Sequence, residues 1–411
     1  MMTMSLQLRS PGPRALLALL GLCALTACGD GSPTNPAPGD ATVAEPSVEA
    51  RALWLSRYDY GTQAELVALI DSAAAAHFNI VYFQARGSGD AWYAPGLEPW
   101  GRLLAGLGVN PGWDPLAVAV DRAHARGLEL HAWLNVTPGW VEDANHQPLP
   151  MPTTTPPHQF LVHPDWIYKT PAGQRLADGA SELFTPAAAG YRAWVARVAA
   201  DVARRYAVDG IHLDYIRYPY ATSDWSDSLS LAQWRALPVP GDFDDYRRSL
   251  ITDIVRQVGD SLRAVRPAAR LSAAVWGVYR RVPGWNNAGG YEDRLQPARD
   301  WAAQGIIDAL VPMVYWHIAP GYGGRLDFAY LADDHVQAVT NRHVYIGLDI
   351  ENDSLVSNGS QMVKEINRAR FAGAPGVSVF SAQILRRNDW WHILPQTVFR
   401  KKATVPSMSW K

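Results

Sequence analysis

Residues Asp209-Gly210-Ile211-His212-Leu213-Asp214-Tyr215-Ile216-Arg217-Tyr218-Pro219 carry the pattern that decides the fold. A short apolar run ends in an acid, an arginine and aromatic rings. The pattern predicts a buried strand over residues 210–217. In a parallel barrel, a carboxylate at the C-terminal end of a strand stands where such folds build their active sites. Strand alternation puts His212, Asp214 and Ile216 on one side and Leu213, Tyr215 and Arg217 on the other. The flat rings beside the acid suit the CH faces of a sugar.

Working outward, seven further runs have the same apolar character: residues 51–56, 80–84, 128–135, 271–277, 307–315, 343–350 and 377–382. Helical patterns separate them at 63–77, 115–126, 187–206, 243–265, 295–304, 328–340 and 361–371, and a last helix is expected to begin near Asn388. Asp114-Pro115 and Thr185-Pro186 read as helix starts. Gly127 reads as a left-handed helix stop, and Pro267 marks the end of the fourth helix. Eightfold β-α alternation implies a parallel sheet with right-handed crossovers, buried on both faces. The expected fold is therefore an α/β (β/α)8 barrel. The alternative is an open doubly wound sheet, but no Gly-x-Gly-x-x-Gly loop follows the first strand to support it. The segments after the second and third strands, 85–114 and 136–186, are long and rich in Pro, Trp, His and Gly, as loops that shape a binding mouth are.

The N-terminal segment reads as a targeting signal. Arg9 and Arg14 precede an apolar run at 15–25 that is too short to span a bilayer as a mature helix. Leu25-Thr26-Ala27-Cys28 looks like a bacterial lipobox, with Cys28 as the lipidated residue after cleavage. An ordinary secretory signal cut nearby is the alternative, and both readings export the protein. The expected layout is a signal peptide at 1–27, a Gly/Pro/Ala/Ser/Thr-rich linker at 28–48 and the barrel at 49–400. The chain has two cysteines, Cys23 and Cys28, so the mature domain keeps no thiol for a disulfide, a thiolate metal site or a cysteine nucleophile. Gly29 after Cys28 is not an acid that would retain the lipoprotein in the inner membrane, which points to the outer membrane, facing the periplasm.

A formal net charge of −2 supplies no basic field for nucleic acid. Tryptophan outnumbers phenylalanine, 17 to 9, which favours a sugar-stacking cleft. No His-Glu-x-x-His occurs, no His-x-His ends the first strand, and His158 with His163 makes a poor zinc pair, so neither a metal nor another cofactor is expected. No Gly-x-Ser-x-Gly elbow marks a serine hydrolase.

Several blocks, taken in order, resemble glycosyl hydrolase-like family 10. They include Phe83-Gln84-Ala85-Arg86, Gly89-Asp90-Ala91-Trp92-Tyr93, Glu98-Pro99-Trp100 and Asp114-Pro115-Leu116. His131-Ala132-Trp133-Leu134-Asn135, His163-Pro164-Asp165-Trp166 and the 209–219 stretch continue the series. Asp308 through Trp316 and Tyr345-Ile346-Gly347-Leu348 complete it. The resemblance implies an exported barrel acting on glycans, often as a cell-envelope lipoprotein. Cleavage of peptidoglycan strands lacking peptides is the family activity it brings forward. This chain departs from many members at Tyr215, where a second acid is common, at Met313, where glutamine is common, and at Asp349 and Glu351.

Glycoside hydrolysis usually uses two carboxyl groups, one giving a proton to the leaving oxygen and one attacking or activating water. Asp214 is the first candidate. Asp90, Glu98, Glu351, Asp349 and Asp59 are open as its partner. Arg86 and Arg217 are expected either to hold a sugar carboxylate or lactyl group or to orient Asp90 and Asp214. His131 and Asn135 could bond sugar hydroxyls, and Trp133, Trp276, Tyr315 and Trp316 are candidates for a stacking floor. The reading is an exported, lipid-anchored glycoside hydrolase, with a non-catalytic glycan-binding lipoprotein as the alternative and a polysaccharide as the partner in both.

Overall fold

The computed structural model describes residues 43–143, 147–178, 181–219, 227–285, 287–318, 327–351 and 359–411. The expected signal segment, Cys28 and the linker up to residue 42 lie outside the described residues.

Eight parallel strands close into a ring: β1 (Ala50–Leu55), β2 (Ile80–Arg86), β3 (Glu129–Asn135), β4 (Gly210–Asp214), β5 (Arg270–Trp276), β6 (Ala309–Met313), β7 (His343–Asp349) and β8 (Gly376–Phe380). Each strand pairs with its neighbours in chain order, and β8 pairs back onto β1 through Ala50↔Gly376 to Leu53↔Val379. The expected barrel is the observed one.

Alternation sorts the strand residues into two cores. Ala52, Trp54, Tyr82, Trp133, Ala274 and Val311 fill the barrel interior. Leu53, Phe83, Leu134, Leu213, Val275 and Ile346 face outward and pack in the layer beneath the helices. Gly210 is required at the base of β4, because a Cβ there would lie 2.8 Å from both Arg270 O and His131 Nδ1. Helix signals hold where a side chain can reach the free amides: Thr62 and Glu65 form a capping box on Gln63–Ala75, and Asp114 accepts from Ala117 N at the start of Pro115–Ala125.

Several boundaries differ from expectation. β4 stops at Asp214 rather than at 217, because Tyr215 takes a left-handed conformation (φ 51°) that ends the ladder. The helix expected at 295–304 is shortened to Ala298–Ala303, since Leu295 is also left-handed (φ 51°) and Pro297 precedes the first turn. The last helix is not one element beginning near Asn388. Ala382–Arg387 ends at a left-handed Asp389 (φ 55°), and Ile393–Thr397 follows. An additional helix, Ser228–Arg235, is capped by Asp227. Beyond residue 400 the chain stays in contact with the barrel base, where Thr404 bridges to Val48 and Trp410 Nε1 donates to Asp308 Oδ1 at 2.9 Å.

The two long loops are ordered by specific contacts. The segment after β3 carries a three-stranded antiparallel sheet of Pro138–Val141, Ala177–Asp178 and Ser181–Leu183. The segment after β2 is pinned by a fully buried ion pair. Arg86 Nε donates to Glu98 Oε2 at 2.8 Å and Nη2 to Oε1 at 2.9 Å, while Nη1 reaches the Asn135 carbonyl at the end of β3. Removing one partner of such a pair strands a buried charge. Glu98→Ala is therefore expected to lower the unfolding free energy by about 3–5 kcal/mol, measured by denaturant titration. A loss below about 1 kcal/mol would show that the guanidinium finds water or another acceptor.

Candidate active site

A cavity of about 470 Å³ opens at the C-terminal ends of the strands. Interior-facing residues at the strand ends supply its floor: Trp54 from β1, Trp133 and Asn135 from β3, Asp214 from β4, Met313 from β6 and Phe380 from β8. Pro138, Asp178 and Ser181 of the small sheet form one wall, and Arg57 and Tyr58 after β1 contribute another.

Asp214 is 7% exposed, and its Oδ1 accepts the Tyr215 amide at 2.6 Å. Burial raises its pKa above the ordinary value of 3.8, opposed by the positive charge of Arg217, the Tyr215 amide and the Trp133 indole. The Arg217 guanidinium lies between two acids, with Nη1 3.9 Å from Asp214 Oδ1 and Nη2 3.9 Å from Asp178 Oδ2. It stacks over the Tyr215 ring at 4.4 Å. Neither acid is close enough for a hydrogen bond. Arg217 Nε and Nη1, Trp133 Nε1 and Asn135 Oδ1 are buried without a well-formed hydrogen bond among the described residues. Buried polar groups are normally paired, so this concentration around one cavity marks groups held ready for a polar ligand.

The floor is braced from below. Trp54 Nε1 donates to His212 Nε2 at 3.0 Å, and His212 Nδ1 lies 2.9 Å from Ser272 Oγ. Tyr82 stacks on His212 at 3.9 Å with planes 7° apart. Burial pushes His212 well below its ordinary pKa, so it is neutral. An indole N–H can only donate, which makes Nε2 the acceptor and places the proton on Nδ1, toward Ser272. The Trp54 ring is thereby fixed, edge-on to Phe380 at 6.1 Å, with Phe380 6.0 Å from Tyr315.

Of the residues singled out from sequence, Asp214, Trp133, Asn135, Arg217, Tyr315 and Glu351 line this cavity. Glu351 is an exposed rim residue paired with Arg387 Nη2 at 2.7 Å. The others lie elsewhere. Arg86 and Glu98 face each other inside the fold, so Arg86 orients neither Asp90 nor a sugar. Asp90 caps its own loop, accepting from Ser88 N at 2.9 Å and Arg102 N at 3.0 Å. Asp59 accepts from Ser56 Oγ at 2.6 Å and Ser56 N at 2.9 Å, and burial raises its pKa. Asp349, also raised by burial, accepts from Glu351 N at 2.9 Å. His131 lies low in the barrel, with Nε2 3.1 Å from Glu129 Oε2, far down β3 from the mouth. Trp276 Nε1 donates to Ala288 O at 2.8 Å, and Trp316 packs on the outer core.

Tyr215 and Met313, noted from sequence only as departures from the family pattern, line the cavity too, and Trp54 and Asp178 line it without having been singled out from sequence. Trp54 was within reach of a strand argument, since it stands at the inward register of β1. Asp178 carried no local signal, because only the antiparallel folding of its loop brings it to the mouth. Among the described residues, no three His, Cys or acidic side chains converge as a metal ion would require.

Residues 49–361 match the family model described as Glycosyl hydrolase-like 10. The chain belongs to this family. It is 29% identical over 366 residues to glycosyl hydrolase YngK of Bacillus subtilis (strain 168), covering 84% of this chain and 68% of that protein. It is 26% identical over 443 residues to glycosyl hydrolase DigH of Escherichia coli (strain K12), covering 95% of each. The PgaB (BpsB) glycoside hydrolase domain from Bordetella bronchiseptica shares the fold, with a TM-score of 0.58 at 14% identity over 86% of this chain and 100% of that one. Membership in glycosyl hydrolase-like 10 places the protein among the glycoside hydrolases.

Within this family member, the charge of Arg217 holds the Asp214 pKa below the value burial alone would set. Arg217→Gln is expected to move the Asp214 titration to higher pH, read by carboxyl-carbon NMR. No movement, or movement downward, would show that the 3.9 Å approach has no electrostatic effect on Asp214.

Proposed function

We propose that this protein is an exported, lipid-anchored glycoside hydrolase that cuts a cell-envelope or other polysaccharide, with peptide-free peptidoglycan strands as the first substrate to test. One observation carries the reading: a buried aspartate with a raised pKa faces a cavity with an aromatic floor and several uncommitted polar groups. Such a carboxyl can hold a proton where an ordinary aspartate has lost it. Asp214 gives that proton to the glycosidic oxygen as the bond to the anomeric carbon breaks. Trp54 and Trp133 line the cavity with aromatic surface for the sugar, and the Asn135 carbonyl oxygen offers an acceptor to its hydroxyls. The Tyr215 amide keeps Asp214 in place, and Arg217 meets the charge that forms on it after the proton leaves.

The anchor rests on the Leu25-Thr26-Ala27-Cys28 sequence and the linker that follows it. Gly29 supports placement in the outer membrane, facing the periplasm.

Asp214→Asn keeps the size of the side chain and removes the transferable proton. It is expected to lower reducing-end release from peptide-free strands or another glycan by about 100-fold or more, with the thermal midpoint retained. In the wild type, activity is expected to fall as pH rises through the Asp214 pKa, because only the protonated form donates. This alkaline limb lies above the ordinary 3.8. Equal release by both forms would remove Asp214 from the catalytic set, and binding without release from any glycan would favour the non-catalytic alternative. Separately, Cys28→Ala is expected to abolish incorporation of labelled palmitate and to move the protein out of the membrane fraction. Fractionation of the wild type to the inner membrane alone would overturn the outer-membrane placement.

A further inference from the structure

We infer that Asp178 is the second catalytic carboxyl, acting opposite Asp214 from the far side of Arg217. This rests on the glycoside hydrolase reading and specifies which groups perform it.

Among the described residues, three carboxylates line the cavity: Asp178, Asp214 and Glu351. Glu351 stands exposed at the rim and is engaged by Arg387. Asp178 is different. Its side chain is 23% exposed, it faces the same guanidinium as Asp214, and no described donor lies within hydrogen-bond distance of its oxygens. Asp90 and Glu98, the two acids of the loop after β2 weighed as partners of Asp214, have theirs committed to protein donors. A carboxylate with uncommitted lone pairs, in the cavity and close to a buried acid, can accept a proton from water.

The position of Asp178 is set by backbone pairing. Asp178 pairs with Ser181, and Ala177 with Glu182, in the small sheet. The same sheet pairs Glu182 with Trp140 and Leu183 with Pro138. Phe184 N donates to Thr137 O at 2.8 Å, and Thr137 Oγ1 donates to Tyr215 O at 2.7 Å. A short chain of hydrogen bonds thus links the strand carrying Asp178 to the residue next to Asp214. The left-handed turn at Tyr215 puts both the Tyr215 ring and Arg217 on the cavity wall between the two acids.

The reaction balances with these groups alone. The bond between the anomeric carbon and the leaving oxygen breaks, and Asp214 protonates that oxygen. Water bonds to the anomeric carbon through its oxygen and loses a proton to Asp178. The pair ends with Asp214 ionised and Asp178 protonated, and exchange of one proton with solvent restores it. Attack from the face opposite the leaving group inverts the anomeric carbon.

The test uses the full chain, with wild type, Asp178→Asn, Asp178→Ala and Asp214→Asn compared on one glycan. Asp178→Asn is expected to lose about 100-fold or more in kcat with KM little changed. Azide is expected to restore turnover of Asp178→Ala, giving a glycosyl azide, because the small anion replaces the water that needs the base. A merely structural aspartate would show neither the kcat-only loss nor the rescue. NMR of the first product is expected to show the inverted anomer. An Asp178→Asn enzyme near wild-type kcat, beside an inactive Asp214→Asn, would overturn this inference alone. A retained anomer would overturn the assignment of Asp178 as the base. A wild type that cuts no glycan would overturn the hydrolase reading and this inference together.

Discussion

Eight strands hydrogen-bonded in a closed ring leave no free edge, and every side chain must point either into the barrel or toward the helices. The site depends on that alternation. On β4 it sends Ile211 and Leu213 outward into the larger core and Gly210, His212 and Asp214 inward. On β1 the same register brings Trp54 to the mouth. The two strands are not adjacent, yet the narrow interior lets Trp54 donate to His212, one layer below Asp214. The floor of the cavity is therefore an extension of the barrel core rather than a surface feature.

The second element is the turn that follows. A β-strand continued to Arg217 would place Tyr215 and Arg217 on the outer side. The left-handed Tyr215 ends the strand and changes the direction of the chain. Ile216 then enters the outer core while Tyr215 and Arg217 reach the cavity. One residue in an unusual conformation reverses the facing of the next two.

Two arginines show how the protein separates support from chemistry. Arg86 is fully buried and meets Glu98 and backbone carbonyls at hydrogen-bond distance, which compensates for removing both charges from water. Arg217 is nearly as buried but approaches its two acids only to 3.9 Å and leaves Nε and Nη1 without hydrogen bonds. A buried charge in that state is costly unless something else completes its shell. The first arrangement holds a long loop against β3. The second leaves polar groups directed at a ligand space.

The sequence by itself determined the eightfold β-α order, the parallel barrel and the place of Asp214 at a strand end, because these follow from short-range periodicity and from helix signals such as Asp114-Pro115 and Gly127. It also brought forward Trp133, Asn135 and Arg217, since strand ends at the mouth can be counted along the chain. It could not separate Glu98 and Asp90 from the cavity, because a carboxylate in a long loop reads the same whether it meets a buried arginine, a backbone amide or open space. It misplaced His131, whose strand was right but whose height in the barrel depends on register with its neighbours. Only the tertiary structure decided these matters, along with the arrival of Asp178 through the antiparallel sheet folded within the loop after β3. The physical reason is common to all of them: the partner that fixes each side chain comes from a distant part of the chain, and hydrogen-bond geometry between distant segments leaves no periodic trace in the sequence.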